Sequence, residues 1–367
     1  MGAKDPPGFR PLMADDRREP GREDAMRAWV SGAAGTAAAV VLAAAVPASA
    51  LDDVERSCSA TARAAFQACR YETEDDYWVA VAKCTNLSDD EQREDCLEEA
   101  GAERREHREL CDAQRKERLK VCGRLGEAPY DPSYDPADFD ADFTNLTRPN
   151  PYFPLVIGNR WELRGGTEVD RIEVRNETKR IEGLDCIVFG DRVTEAGALA
   201  EDTDDWYCMA KNGDVHYLGE EVKNYESFPG DDPMRAELVS IDGRFKSGVN
   251  RDKGGIILPA APFVGQFYRE EFSLGNAEDT AEVRSITYGY GADADLDRFV
   301  PRALVDRFCA ADCLVTDNTS QLEPGVVGRK YYARGVGFFL EVKPDSGETL
   351  QLTDCNFDPR CVGLPMP

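Results

Sequence analysis

Hydrophobic positions follow three regimes along the chain. From Met26 to Ala50 they are nearly continuous, in MRAWVSGAAGTAAAVVLAAAVPASA. Over 51–125 they are sparse and mostly alanine, set among Glu, Arg and Asp. That stretch has no proline, and Gly101 and Gly123 are its only glycines, a composition that favours helix. From about 150 onward, short runs rich in Val, Ile, Tyr, Phe and Thr alternate with Gly, Asn and Asp turns, the pattern of strands. Between the last two regimes lies GEAPYDPSYDPADFDADFTNLTRPNPYFP, whose prolines and repeated Tyr-Asp-Pro predict an extended linker.

The first regime has a basic residue at Arg27, an Ala/Val/Leu core and Ala48-Ser49-Ala50 at its end, the parts of a secretory signal peptide. The alternative is a retained membrane anchor, because the run approaches the ~20 residues needed to span; the A-x-A ending favours cleavage. Residues 1–25 read as unstructured and upstream of a true start at Met26. The expected organisation is therefore a signal peptide at 26–50, a Cys-rich helical hairpin at 51–125, a Pro/Asp-rich linker at 126–150 and a β-rich domain at 151–367.

The chain has 367 residues and a net charge of −26. The segment removed with the signal is charge-balanced, so the mature chain keeps that charge. Such a field opposes nucleic-acid and anionic-membrane binding and suits a secreted or periplasmic protein or a cation binder. No stable membrane insertion is expected after cleavage. All 12 cysteines follow the signal, which reads as a disulfide framework.

The first six cysteines are Cys58, Cys69, Cys84, Cys96, Cys111 and Cys122, with steps of 11, 15, 12, 15 and 11. The spacing is a palindrome. Pairing from the middle outward (84 with 96, 69 with 111, 58 with 122) gives the rungs of an antiparallel helical hairpin, since 11 and 15 residues are close to three and four helical turns. The alternative is three shorter helices, with a break near YETEDD, 71–76, and another cysteine pairing. Ser88 and Glu91 read as a capping box for the second helix. The arrangement resembles the twin-cysteine helical hairpins of the mitochondrial intermembrane space in architecture only, because the gaps and the export signal differ.

In the β region, Asn212-Gly213 predicts a two-residue hairpin turn that sets Cys208 opposite Tyr217 and Met209 opposite His216. Both faces of that hairpin are apolar, so it should be covered on both sides or bent into a barrel wall. GLDCIVFGDRV is a further strand, and its register brings Cys186 near Cys208 as a fourth disulfide. Cys309, Cys313, Cys355 and Cys361 should tie the chain end to the loop before CLVTD, with three connectivities open. About ten strands and no long helix complete an α+β reading: a disulfide-laddered antiparallel helical hairpin followed by an antiparallel β-rich half-barrel or barrel.

The segments NPYFPLVIGNRWELRG, DWYCMAKNGDVHYLGEE, GIILPAAPFVGQFYREEFSLGNAEDTAEV and YYARGVGFFLEV resemble an uncharacterised family of secreted bacterial proteins, over about 150–345. The resemblance implies no activity. Cys208, Cys309, Cys313, Cys355 and Cys361 are not part of that pattern.

Catalytic motifs are missing: the sequence has no G-x-S-x-G elbow, phosphate-binding loop or H-E-x-x-H. Its two histidines, His107 and His216, rule out a multi-histidine zinc site. The paired carboxylates Asp204-Asp205, Glu220-Glu221, Glu270-Glu271 and Glu278-Asp279 would serve a hydrolase, but in so acidic a chain they read first as solvated strand edges. DFDADF at 138–143 and DADLDR at 293–298 begin like calcium loops but carry Phe143 and Arg298 where an EF-hand needs glycine. His216, Met209 and Glu220 form a candidate copper site in the two-residue register; the competing reading is a packed histidine and a core methionine. The leading expectation is a secreted, non-enzymatic binding or surface protein for an unknown small apolar ligand or protein partner. A copper- or calcium-binding protein and a hydrolase using paired carboxylates are the alternatives, and any cofactor is unknown.

Overall fold

The computed structural model describes residues 56–367. The expected signal peptide and the segment before it lie outside the described residues. Helix α1 (Ser57–Thr85) and helix α2 (Asp90–Leu125) form the antiparallel hairpin. α1 runs unbroken through 71–76, because nothing in that acidic stretch removes a backbone donor. The three rungs are Cys58–Cys122, Cys69–Cys111 and Cys84–Cys96, with Cα separations of 5.6, 5.8 and 5.5 Å. Alanines at 62 and 100 are buried on the facing stripe, where small side chains admit that approach. The cap of α2 sits one residue later than expected: Asp89, not Ser88, accepts from the Gln92 amide at 2.9 Å. Gly126, at φ 92°, ends α2 in a backbone conformation that favours glycine.

Beyond the hairpin, sixteen strands make one antiparallel sheet, more than the ten or so expected, and the short helix α3 (Arg302–Phe308) lies between two of them in the chain. The wall is a meander. Strands β1 (Arg160–Gly165), β2 (Glu168–Ile181), β3 (Leu184–Glu195), β4 (Ala198–Met209) and β5 (Val215–Glu221) pair in sequence order. β6 (Asn224–Ser227), β7 (Ala236–Ser240) and β8 (Phe245–Lys246) branch off, and β9 (Lys253–Leu258) continues the wall beside β5. The far half comprises β12 (Asp279–Tyr288), β13 (Cys313–Ser320), β14 (Gly328–Ala333), β15 (Gly337–Val342) and β16 (Thr349–Cys355), and β16 pairs with β1.

The two ends of this path meet. β10 (Phe267–Arg269) pairs with β12, β11 (Glu271–Phe272) pairs with β9, and only Glu270 separates them. One bent segment thus bridges both edges and nearly closes the sheet into a barrel, which removes the exposed edges an open sheet would carry. Closure needs the Gly254-Gly255 pair of β9: a Cβ on Gly255 would lie 2.4 Å from the Arg269 carbonyl oxygen and 2.5 Å from that of Glu270.

The β4–β5 hairpin is shifted by one residue from its expected register. Tyr207 faces Tyr217, Cys208 faces His216 and Met209 faces Val215. The loop has three residues, 211–213, because Lys211 joins it and Asp214 closes it: the Ala210 amide donates to the Asp214 carbonyl, and Gly213, at φ 96°, donates back to Ala210. Side chains alternate along a strand, so the slip exchanges the faces. Ile187, Phe189, Tyr207, Met209 and Tyr217 now belong to the inner core. Cys186, Val188, Trp206, Cys208 and Leu218 form a second cluster on the outer face.

That outer cluster is covered by the Pro/Asp-rich segment. Phe139 is buried in it and bridges to Ala210, and the hydroxyls of Tyr130 and Tyr134 donate to the Gly254 carbonyl at 2.9 and 3.3 Å. The segment is extended, as its prolines require, but it clads the barrel instead of hanging between modules. The hairpin is docked as well: Arg118 of α2 pairs with Glu278, Arg124 with Glu282, and Gln114 donates to the Leu322 carbonyl.

All 12 cysteines are bridged. Cys186–Cys208 joins β3 to β4 as expected. The last four pair locally, 309 with 313 and 355 with 361, so no disulfide ties the chain end to the loop before β13. Hydrogen bonds make that tie: the Arg307 guanidinium reaches the carbonyls of Arg360 and Val362, and Arg360 reaches that of Phe308.

Candidate functional site

Inside the wall lies a cavity of about 270 Å³. One part is apolar, lined by Phe153, Trp161, Phe189, Tyr207, Ile257 and Phe338. Rings stack around it: Phe153 on Phe189 at 5.4 Å and Trp161 on Phe189 at 6.0 Å, with the Trp161 Nε1 donating to the Val336 carbonyl at 2.8 Å. The other part is charged. Asp170, Asp191 and Asp205 reach it from β2, β3 and β4, and Lys330 and Glu341 from β14 and β15.

The three aspartates arise from strand alternation. Asp170 shares a face with Ile172 and Val174, Asp191 with Ile187 and Phe189, and Asp205 with Tyr207. Asp170 and Asp191 lie close enough that each carboxyl shifts the titration of the other. Their Oδ1 atoms are buried and take no donor from another described side chain or backbone group. Two carboxylates so placed cannot both ionise and share a proton. Burial pushes Asp170 up to about 6 and Asp191 well above the usual carboxylate range, the charge of Asp170 adding to the latter. Burial and the Asp191 charge hold Asp205 at about 8, although the Tyr217 hydroxyl donates to it at 2.6 Å. At neutral pH the trio thus carries mainly the single charge of the Asp170–Asp191 pair.

Lys330 stands on a different part of the wall. Burial opposes its charge, but Glu341, Tyr332, Glu270 and Asp279 outweigh that and keep its ammonium protonated. It has no hydrogen bond or ion pair among the described residues, and its Nζ lies 6.0 Å over the Phe338 ring. The cavity therefore holds the Asp170–Asp191 pair, which has no cation partner among the described residues, and the Lys330 ammonium, with Glu341 opposite it on β15, beside an aromatic wall.

Three carboxylate pairs expected as solvated edges each put at least one member inside. Asp204 turns outward to Arg175 while Asp205 is buried; Glu270 and Glu271 are both buried, Glu270 held by the Asn318 amide; Glu278 is buried against Arg118. In the remaining pair, burial and the Asp205 charge push Glu220 well above the usual range, whereas Glu221 faces Lys223. They are inside because the wall curves around them, which local sequence does not reveal.

The candidate copper ligands are not brought together. Met209 is fully buried in the inner core. His216 projects to the outer face, edge-on to Tyr134 and Phe139 at 5.8 and 5.1 Å, and burial lowers its pKa. Glu220 sits at the β5 end, opposite Asp205. In the acidic loops, Asp140 is taken by Thr147, Asp142 by Thr144, Asp297 by Tyr288 and the Gly291 amide, and Asp295 by Arg329. Among the described residues, no group of three His, Cys, Asp or Glu side chains could hold a metal ion.

Asp170, Asp191 and Lys330 were not singled out from the sequence. The signal existed: a charged residue at an inward position of an alternating strand, as in IVFGD after Ile187 and Phe189. No helix among the described residues is long and apolar enough to cross a membrane. Six disulfides with no free cysteine belong to an oxidising, extracytoplasmic environment. No family model, curated protein or solved structure matches the chain.

Proposed function

We propose that this is a secreted, non-enzymatic binding protein whose barrel holds a small zwitterion with an apolar body, as an aromatic amino acid is built. The observation that carries the reading is opposite charges on one aromatic cavity: the Asp170–Asp191 carboxyl pair, with no cation partner among the described residues, and Lys330, which faces Glu341 across the strands but makes no ion-pair contact with it. An ammonium group compensates the carboxyl pair, a carboxylate compensates Lys330, and the ring packs on Phe189 and Phe338. The size is in proportion, lying between the ~150 Å³ that takes benzene and the ~300 Å³ at the small end of ligand pockets. Export through the segment 26–50 fits the disulfide framework.

The test is titration calorimetry with L-phenylalanine, phenethylamine and hydrocinnamate. The zwitterion should bind at least tenfold more tightly than either single-charge relative, and Lys330→Met and Asp170→Asn should each weaken it. Absence of binding by L-phenylalanine, or equal binding of neutral 2-phenylethanol, overturns the reading.

A hydrolase is the second reading, favoured by the proton shared between Asp170 and Asp191, the arrangement of an acid–base carboxyl pair. It requires turnover of an amide or glycoside that Asp191→Asn abolishes.

A further inference from the structure

A second cavity of about 270 Å³ opens where α2 rests on the closing segment of the barrel. Two arginines reach it. Arg118, 6% exposed, spends Nε and Nη2 on Glu278, at 2.8 and 2.7 Å. Its Nη1 is buried without a partner. Arg269, the last residue of β10 and 8% exposed, has no hydrogen-bond acceptor or carboxylate partner among the described residues. Its guanidinium lies over the rings of Tyr130 and Phe272, 5.3 and 4.5 Å from their centroids.

Glu278 has little left to offer Arg269, because it takes Arg118 with both oxygens and the Gly275 amide as well. The site therefore carries two guanidiniums against one carboxylate, a net positive charge inside a chain of net charge −26. The buried Nη1 of Arg118 without an acceptor is costly, and an anion bound between it and the Arg269 guanidinium that lines the cavity repays that cost. Burial weakens the hold of Arg269 on its proton, and the charges of Tyr130 and Glu278 offset this only in part.

We propose that this cavity binds a monocarboxylate with a small apolar body, its carboxylate taking the free N–H groups of Arg118 and Arg269. Val121, Leu125, Pro129 and Leu274 line the remainder and receive the apolar part. Gln321 also lines this cavity, with its Oε1 buried and without a donor. The apolar lining, not the anion's charge, favours a carboxylate with a hydrocarbon body over inorganic phosphate, which has none. The site is separate from the barrel interior and does not depend on what that interior binds.

Titration calorimetry of the full chain at low ionic strength with hexanoate, hexanamide and inorganic phosphate tests this. Hexanoate should bind one-to-one, at least tenfold more tightly than either relative. Arg269→Gln should lose at least tenfold in hexanoate affinity, and Arg269→Lys should keep part of it, with near-UV circular dichroism checking the fold of both. Lys330→Met should leave hexanoate binding unchanged. No binding of hexanoate, equal binding of hexanamide to the native chain, undiminished binding by folded Arg269→Gln, or loss on Lys330→Met each overturns the proposal. If Arg269→Gln does not fold, the comparison of hexanoate with hexanamide on the native chain decides.

Discussion

Arg118 of α2 and Glu278 of the barrel form a bidentate ion pair, Nε to Oε2 at 2.8 Å and Nη2 to Oε1 at 2.7 Å, with 6% and 1% of their side chains exposed. It joins the cysteine-laddered hairpin to the closing end of the sheet. Removing one partner leaves a buried charge, so Glu278→Gln should cost about 3–5 kcal/mol, whereas replacing both with apolar residues should cost less. Urea unfolding should follow one transition in helical ellipticity and in aromatic signals. Two well-separated transitions would show that hairpin and barrel are independent units.

The ladder should account for much of the hairpin's stability, because its facing stripe buries alanines and few large side chains. Replacing Cys69 and Cys111 by alanine should lower stability by about 2–4 kcal/mol. Thiol counting on the denatured, unreduced chain should find none. Peptide mapping should join 58 to 122 and, at the other end, 309 to 313 and 355 to 361; a peptide linking 309 to 361 would contradict the local pairing.

The buried carboxyl groups set the direction of pH dependence. Asp170, Glu270 and Asp205 titrate at about 6, 7 and 8 in the folded chain, all raised by burial. Unfolded, they titrate near 4. Between those limits the folded state binds more protons than the unfolded one, so stability is fully present below pH 4 as far as these groups go, and falls as pH rises to about 8. The slope is at most about 1.4 kcal/mol per pH unit for each group. Thermal melting should be higher at pH 5 than at pH 8, and Asp205→Asn should flatten the decline. A melting temperature that climbs from pH 5 to pH 8 would refute the protonated state of this cluster.

Closure of the barrel should be sensitive at one glycine. Gly255→Ala puts a methyl group into the backbone of 269–270, within 2.6 Å of three atoms, and backbone cannot swing aside as a flexible side chain does. We expect a loss of about 3 kcal/mol or more, at or above the usual cost of overpacking. Hydrogen exchange should speed up along β9 and β11 first. Unchanged protection there would mean that the sheet does not close through this segment.

The sequence by itself determined what local spacing can encode. The palindrome from Cys58 to Cys122 pointed to the hairpin and its three rungs, because helical periodicity and disulfide reach favour that nesting; the unbroken α1 decided it against three shorter helices with another pairing. The alternating strands with turns between them carried the antiparallel, barrel-like β region. Strand register also predicted Cys186–Cys208. The one-residue slip at Asn212-Gly213 escaped it, because a two- and a three-residue loop read alike until Asp214 finds its partner in Ala210. That slip separated His216 from Met209 and dissolved the candidate copper site. Only the tertiary structure decided which carboxylates turn inward. Asp205, Glu270 and Glu271 look like a charged surface in one dimension, and their burial depends on β10 and β11 joining two strands that lie at opposite ends of the sheet. Burial is a property of the closed wall, where desolvation acts on every group together, and no single strand carries it.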